Sequence, residues 1–242
     1  MTITTLATRD EVAVAAARRI ADALKQRADL VLGLPAGQTP VPVYAELRRL
    51  ASNGTVDFAA ATSFALDEFV GINRTDPRSF TYFITEHLIA ATNFDPLRVH
   101  FLNGASADLD AECARYEAAI AGAGGIDLQI LGLGRNGHIG FNEPADALVA
   151  RTHRVVLRPD TRQDNAARFG GDPERVPREA LSMGVGTILN ARAILIIAMG
   201  ESKSDAVDRM VRGPITTHVP ASLLQLHANV DVYLDCAAAA RL

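Results

Sequence analysis

A chain of 242 residues with 48% apolar and 21% charged residues is long enough to bury a sizeable core within one globular domain. Its 24 basic and 28 acidic residues give a formal net charge of −4, so it lacks the basic surface that nucleic acids and anionic membranes require. No segment approaches the roughly 18 consecutive apolar residues of a membrane span, and the two cysteines have no metal-site or disulfide spacing. We expect a soluble cytoplasmic protein without nucleic-acid or membrane partners.

Short apolar segments alternate with segments of helical periodicity along the chain. The expected helices are 10–27, 41–52, 79–92, 108–122 and 202–212. The expected strands are 29–34, 62–67, 98–102, 126–133, 154–157, 193–199 and 230–235. Most of these strands are continuous apolar runs, which is typical of strands covered on both faces. The pattern predicts an α/β fold with an open, mostly parallel Rossmann-like sheet and helices on both faces.

No linker or internal repeat divides the chain, so a single domain spanning 1–242 is expected. The segment around 151–178 is long, polar and rich in turn residues. It is a candidate lid over a site, with an ordinary surface excursion as the alternative. The sequence leaves the oligomeric state open between a monomer and a homo-oligomer.

Four unusual segments follow predicted strands: "PAGQTP" (35–40), "DEFVG" (67–71), "LGLGRNGHIGFNEP" (131–144) and "GESK" (200–203). Ligands of open α/β sheets bind outside the carboxyl ends of the strands. The coincidence of four such segments with four strand ends therefore predicts a binding or catalytic site at that edge.

The segment 131–144 has the Gly-x-Gly-x-x-Gly spacing of a dinucleotide site, starting at Gly132. A dinucleotide site needs a helix at this point, which Gly140 and Pro144 interrupt, and an acidic residue about 20 positions later, which is absent. His138 and Glu143 instead supply groups that transfer or orient protons. A catalytic loop is favoured, with a plain glycine-rich turn as the alternative.

Two other segments have the features of an anion site. Gly37 and Thr39 precede a predicted helix whose N-terminus would bind an anion, and Lys203 stands in the first turn of another helix. Plain turns and a solvated lysine are the alternatives. Asp67 ends a strand and is a candidate base, or else part of an acidic turn, whereas a structural role is favoured for Glu68. No spacing indicates a metal centre or a serine nucleophile.

The motifs together resemble the glucosamine-6-phosphate deaminase (isomerase) family. The resemblance runs from about 10 to 235 through "LGLPAGQTPVPVY", "ALDEFVGI", "LGLGRNGHIGFNEPA", "DTRQDNAARF", "PREALSMGVGTILNAR" and "GESK". It implies conversion of glucosamine 6-phosphate and water to fructose 6-phosphate and ammonia, in N-acetylglucosamine catabolism, with no cofactor and no metal. The related 6-phosphogluconolactonases lack the Phe-Asn-Glu-Pro ending of the third segment.

The resemblance also implies roles for individual residues. His138 would open the sugar ring, Asp67 would move a proton between C2 and C1, and Glu143 would orient His138, with Asn136 as a neutral hydrogen-bond partner of the imidazole. The phosphate would bind the Gly37-Gln38-Thr39 loop together with Arg168 and Lys203.

Three departures from the family pattern bear on these roles. Position 136 is Asn where some members have Asp, Gln38 replaces a usually small residue, and Arg168 matches only after a one-residue shift, so Arg162 remains a competitor. Val155 stands where regulated members have Lys, and the chain ends soon after its last predicted strand, so we expect an enzyme without allosteric regulation. A lactone hydrolase and a sugar-phosphate sensor without catalysis are the alternative functions.

Overall fold

Ten strands divide between two sheets in the computed structural model, which describes Met1–Leu242. The strands are β1 (Thr2–Leu6), β2 (Val31–Leu34), β3 (Thr62–Ala65), β4 (Asp67–Phe69), β5 (Val99–His100), β6 (Leu128–Gly132), β7 (His153–Val156), β8 (Glu179–Ser182), β9 (Ala193–Ala198) and β10 (Val230–Asp235). Seven of them form a fully parallel central sheet in the order β1-β10-β9-β6-β2-β3-β5.

Helices cover both faces of the central sheet. They are α1 (Arg9–Gln26), α2 (Val41–Ser52), α3 (Phe80–His87), α4 (Leu109–Gly122), α5 (Pro159–Asn165), α6 (Val185–Leu189) and α7 (Ser204–Val211). The first three pack on one face through an apolar cluster of 28 buried residues, and α4, α6 and α7 pack on the other through a cluster of 27. The predicted fold class is thereby confirmed. None of the helices has the length and apolar character needed to span a bilayer.

Local signals set the helix starts. At the start of α1 the Thr8 hydroxyl accepts a hydrogen bond from the backbone N–H of Glu11, and the Glu11 carboxylate accepts one from the backbone N–H of Thr8, so both N–H groups have a partner. At the start of α4 the Asp108 side chain accepts from the backbone N–H of Ala111. Asp108 is therefore the N-cap of α4.

The structure differs from the predicted strands in the second sheet, which is antiparallel with the order β4-β8-β7. The predicted strand 62–67 ends at Ala65, and Asp67 belongs to β4, where it pairs with Ser182 of β8. The predicted strand 154–157 pairs with β8 as well, instead of joining the central sheet. The strands β1 and β8 were not predicted, because "TITTL" lies at an edge with exposed positions and "EALS" has no β-branched residue.

The sheet order brings the four unusual segments together. They follow β9, β6, β2 and β3, which are consecutive neighbours in the sheet, so the loops leave the same edge side by side. The chain moves outward from β2 to β3 and β5, then returns to β6 on the other side of β2. The boundary between β2 and β6 is thus the point where strand order reverses, which is where open α/β sheets bind ligands.

Candidate active site

A cleft of about 360 Å³ lies at this edge. All four loops contribute to its walls, with Asp67, His138, Lys203 and the loop Gly37, Gln38 and Thr39 among the lining residues. The structure therefore brings together predicted site residues that are up to 166 positions apart in the chain (203 minus 37). No group of three His, Cys, Asp or Glu side chains has the geometry of a metal site.

Two glycines shape the turn that carries His138. Gly137 has φ of 91°, a left-handed conformation that side-chain-bearing residues rarely adopt, and its N–H donates to the carbonyl of Gly134 at 3.0 Å. A Cβ atom on Gly134 would lie 2.5 Å from the imidazole ring of His138. The glycine spacing that resembles a dinucleotide motif therefore makes a tight turn and leaves room for the histidine ring.

Glu143 lies behind His138. Its Oε2 is 3.5 Å from Nδ1 of the imidazole, and the side chain is only 7% exposed. Burial alone would raise the pKa of this carboxyl, but the hydrogen bond and charge attraction of His138, with further bonds from Thr161 and Asn136, lower it instead. Glu143 therefore stays ionised and can accept a hydrogen bond from Nδ1 of His138. Nε2 is then the ring nitrogen that is free to act on a substrate.

Asn136 contacts Glu143 and not the imidazole, which corrects the contact expected from the sequence. Its amide nitrogen donates to Glu143 at 3.1 Å and to Asp160 at 2.9 Å, and its Oδ1 accepts from the backbone N–H of His138 at 3.0 Å. The amide is required for this arrangement, because an oxygen in place of the nitrogen would face two carboxylates. Asn136 therefore positions the Glu143 carboxylate and the turn around His138.

Asp67 faces the cleft from β4 and is only 7% exposed. Burial raises the pKa of Asp67 to about 8, with a smaller contribution from the neighbouring charge of Glu68, and no hydrogen-bond donor or cation opposes the two. Such a carboxyl changes protonation state near neutral pH, as a group that takes and returns a proton must.

Glu68 points away from the cleft and holds the start of α3. Its Oε1 accepts from the backbone N–H groups of Phe69 and Phe80, and its Oε2 accepts from the N–H and hydroxyl of Thr81, all at 2.8 to 2.9 Å. Phe80 and Thr81 are the first residues of α3, whose positive dipole end favours a carboxylate. The structural role expected for Glu68 agrees with these contacts.

Replacing Glu68 by Gln should lower the free energy of unfolding by about 3 kcal/mol, because an amide nitrogen would meet buried N–H donors in place of an oxygen. Urea unfolding followed by circular dichroism measures the change. A loss under about 1 kcal/mol would contradict this role for Glu68.

The Gly37–Thr39 loop and Lys203 give the cleft groups that suit an anion. The helix α2 begins at Val41 with no side-chain cap and no acidic residue in its first turn, which leaves the N–H groups of Val41 and Val43 as possible donors, since Pro42 has no N–H. Gly37 has φ of 97°, which turns the backbone of this loop toward the helix start. Lys203 lines the same cleft, at the junction of a short 3-10 turn and α7.

Two arginines considered for the phosphate lie outside the cleft walls. The Arg162 guanidinium is buried and donates to the carbonyl of Pro173 at 2.7 Å, beside Glu174. The Arg168 guanidinium lies 4.5 Å from the ring centre of Phe83. Phosphate binding by Arg168 stays a prediction.

Other charged residues line the cleft that the sequence analysis did not select. They are Arg9, Arg135 and Asp164. Arg135 lies inside the glycine-rich segment, next to Asn136, so its position in the sequence already indicates a place near the site. Nothing in the sequence distinguishes Arg9 or Asp164, because they enter the cleft through helix packing.

Comparisons with known proteins agree with this site. The family model described as glucosamine-6-phosphate isomerases/6-phosphogluconolactonase matches residues 4–233. The chain is 45% identical over 234 residues to glucosamine-6-phosphate deaminase 2 of Bacillus subtilis (strain 168), covering 96% of this chain and 94% of that protein. It is 44% identical over 223 residues to glucosamine-6-phosphate deaminase 1 of Giardia intestinalis, covering 92% and 84%.

Solved structures show the same relationship. A monomeric glucosamine-6-phosphate deaminase superposes with a TM-score of 0.96 at 40% identity, over the whole of both chains. A 6-phosphogluconolactonase from Trypanosoma brucei shares the fold, with a TM-score of 0.75 at 23% identity. With its fold, its cleft and its matched length, the chain belongs to the family of glucosamine-6-phosphate isomerases and 6-phosphogluconolactonases.

Proposed function

We propose that this protein is a glucosamine-6-phosphate deaminase, which converts glucosamine 6-phosphate and water to fructose 6-phosphate and ammonia. The observation that carries the proposal is the pairing of Asp67 and His138 in one cleft that the Gly37–Thr39 loop and Lys203 also line. Relatives at 42–45% identity that carry this name support it. A lactone hydrolase would have less use for Asp67, and a sensor would have no use for either group.

The first chemical step opens the sugar ring. His138, with Nδ1 held by Glu143, has a free Nε2 that takes the proton of the C1 hydroxyl and delivers it to the ring oxygen as the bond between C1 and that oxygen breaks, which gives the open-chain aldehyde. Protonation of the ring oxygen is needed because an alkoxide is a poor leaving group at neutral pH.

The second step is an aldose–ketose proton transfer. Ionised Asp67 removes the proton from C2 of the open chain and returns it to C1, while a proton of the C2 amine passes to the C1 oxygen. The C1 aldehyde thereby becomes a hydroxyl group and C2 becomes an imine carbon. Water adds to this imine carbon and ammonia leaves, so that the oxygen of water becomes the ketone oxygen of fructose 6-phosphate. Each atom is accounted for without an oxidant or reductant.

Ammonia release from glucosamine 6-phosphate, without added cofactor or metal, tests the proposal. We expect release with a hyperbolic dependence on substrate concentration, since Val155 supplies no cation at the position expected for a regulatory lysine. The control substrate is 6-phosphogluconolactone. Hydrolysis of this lactone without any ammonia release would overturn the proposal, and sigmoidal kinetics relieved by an N-acetylated sugar phosphate would contradict the absence of regulation.

We also propose that the reaction belongs to the catabolism of N-acetylglucosamine and takes place in the cytoplasm. The two cysteines, buried Cys113 and exposed Cys236, are both free thiols, as is usual in a reducing compartment.

The segment 151–178 is the proposed lid. Its helix α5 lies over the loop of His138: Asp160 bonds Asn136, and the hydroxyl of Thr161 lies 3.5 Å from Nδ1 of His138. A segment with these contacts could exclude water and position the loop at the same time.

A further inference from the structure

Arg135 and Asp164 form an ion pair in the wall of the cleft. One edge of the guanidinium is engaged in a bidentate contact, with Nε of Arg135 donating at 3.0 Å to one carboxylate oxygen and Nη2 donating to the other. Arg135 belongs to the turn of His138, and Asp164 belongs to α5. The pair therefore joins the proposed lid to the catalytic loop in the wall of the cleft that Lys203 also lines.

The charges of Arg135 and Asp164 both act on Lys203. Burial is the main cause that lowers the pKa of Lys203, while the carboxylate of Asp164 raises it and the cation of Arg135 lowers it. Lys203 has no carboxylate partner of its own within ion-pair distance. While Arg135 is bound to Asp164 the two charges cancel, so Lys203 alone would face a phosphate dianion.

An arginine held by a carboxylate is preorganised for phosphate. The guanidinium presents two parallel N–H donors, and these fit two phosphate oxygens as well as two carboxylate oxygens. A phosphate dianion that also binds Lys203 and the start of α2 attracts Arg135 more strongly than the partly exposed carboxylate of Asp164 does.

We propose that Arg135 is a phosphate-binding residue for the sugar-phosphate substrate, and that Asp164 holds it until the phosphate takes the place of the carboxylate. The proposal deepens the proposed function, on which it rests for the identity of the ligand. Asp164 then acts as a counter-ion that sets affinity and selects for a dianion, because a neutral sugar offers nothing to displace it.

The competing explanation is that the pair is only a latch between α5 and the loop. The two explanations predict different changes in phosphate affinity for two substitutions. Replacing Arg135 by Gln removes a phosphate ligand, whereas replacing Asp164 by Asn frees Arg135 and removes a negative charge from the anion site. If the pair is only a latch, both substitutions break the same contact and change phosphate affinity in the same direction.

Calorimetric titration with inorganic phosphate and with glucosaminitol 6-phosphate, an open-chain analogue that cannot isomerise, tests the proposal. We expect the dissociation constants to rise about 10-fold for Arg135→Gln, since a charged hydrogen-bonded contact is lost. They should fall about 3-fold for Asp164→Asn, because an opposing charge is removed. Thermal unfolding of each variant checks that both remain folded.

Arg154 and Glu179 provide a matched control pair. This pair is also bidentate, with distances of 2.8 and 2.6 Å, and its side chains are 51% and 29% exposed against 49% and 33% for Arg135 and Asp164. It joins β7 to β8 and does not line the cleft. Arg154→Gln should leave phosphate affinity unchanged.

Unchanged affinity in Arg135→Gln, equal directions of change in both variants, or no binding of either probe by the unaltered protein would overturn the proposal. Failure of the proposed function is a separate result. If the protein binds phosphate through Arg135 but releases no ammonia, the phosphate-binding role of Arg135 stands and the proposed deaminase function is rejected. If the protein releases ammonia but its phosphate affinity does not depend on Arg135, the deaminase activity stands and the phosphate-binding role of Arg135 is rejected.

Discussion

Replacing Asp67 by Asn is expected to lower kcat for ammonia release by about 10⁴-fold, at the upper end of what one acid–base group contributes. The reason is that the cleft offers no second carboxylate in the same position: Glu68 is committed to backbone donors, and Glu143 lies behind His138. Binding of glucosaminitol 6-phosphate should survive, because the groups proposed to bind its phosphate, the Gly37–Thr39 loop and Lys203, are unchanged in this variant.

The same substitution should change how stability depends on pH. Burial raises the pKa of Asp67 to about 8 in the folded protein, whereas the unfolded chain has the ordinary value near 3.8. A carboxyl with a raised folded pKa stabilises the fold while it is protonated, and this stability is lost as the pH rises from about 4 to about 8. Asn cannot ionise, so Asp67→Asn should be more stable than the unaltered protein above pH 8, by a few kcal/mol.

Urea unfolding at pH 5 and pH 9, followed by circular dichroism, measures this change, and Glu68→Gln is the adjacent control. We expect opposite results: Asp67→Asn loses turnover and gains stability at pH 9, whereas Glu68→Gln loses stability at both values. In the unaltered enzyme, kcat/KM should rise with pH up to about 8, because the base must be ionised. An Asp67→Asn enzyme with more than a tenth of normal turnover would refute the assignment of Asp67 as the base.

His138→Gln should lower kcat by about 10²- to 10⁴-fold, and Glu143→Gln by about 10²-fold. His138 places the proton on the ring oxygen, whereas Glu143 acts through the imidazole, which it holds at 3.5 Å. The loss should not exceed that of Asp67→Asn, because sugar rings also open without an enzyme, although slowly, so some open-chain substrate is still supplied.

The double variant separates a shared role from two independent ones. Groups that act as a unit give non-additive losses, so His138→Gln with Glu143→Gln should lose little more than His138→Gln alone. A double variant in which the two losses multiply would contradict the role of Glu143 as the residue that orients His138. Glu174→Gln, an exposed carboxylate that pairs with Arg162 away from the cleft, is the control and should retain normal turnover.

The sequence by itself determined the elements that make up the central layers. The periodicity of 41–52 and the alternation of 230–235 predicted α2 and β10 to the residue, because each pattern is complete within its own segment. The family was also determined by the sequence, since two of its motifs, each a short run of consecutive residues, are specific enough to name it.

Tertiary structure alone decided which strands pair and which side chains meet. Asp67 leaves the central sheet because β8, which lies more than 100 residues later, pairs with it, and no local pattern records that partner. Asn136 contacts Asp160, and Arg135 contacts Asp164, only after α5 has packed over the loop. Hydrophobic periodicity reports which face of a segment is buried, whereas the partners of a polar side chain depend on how distant segments pack against one another.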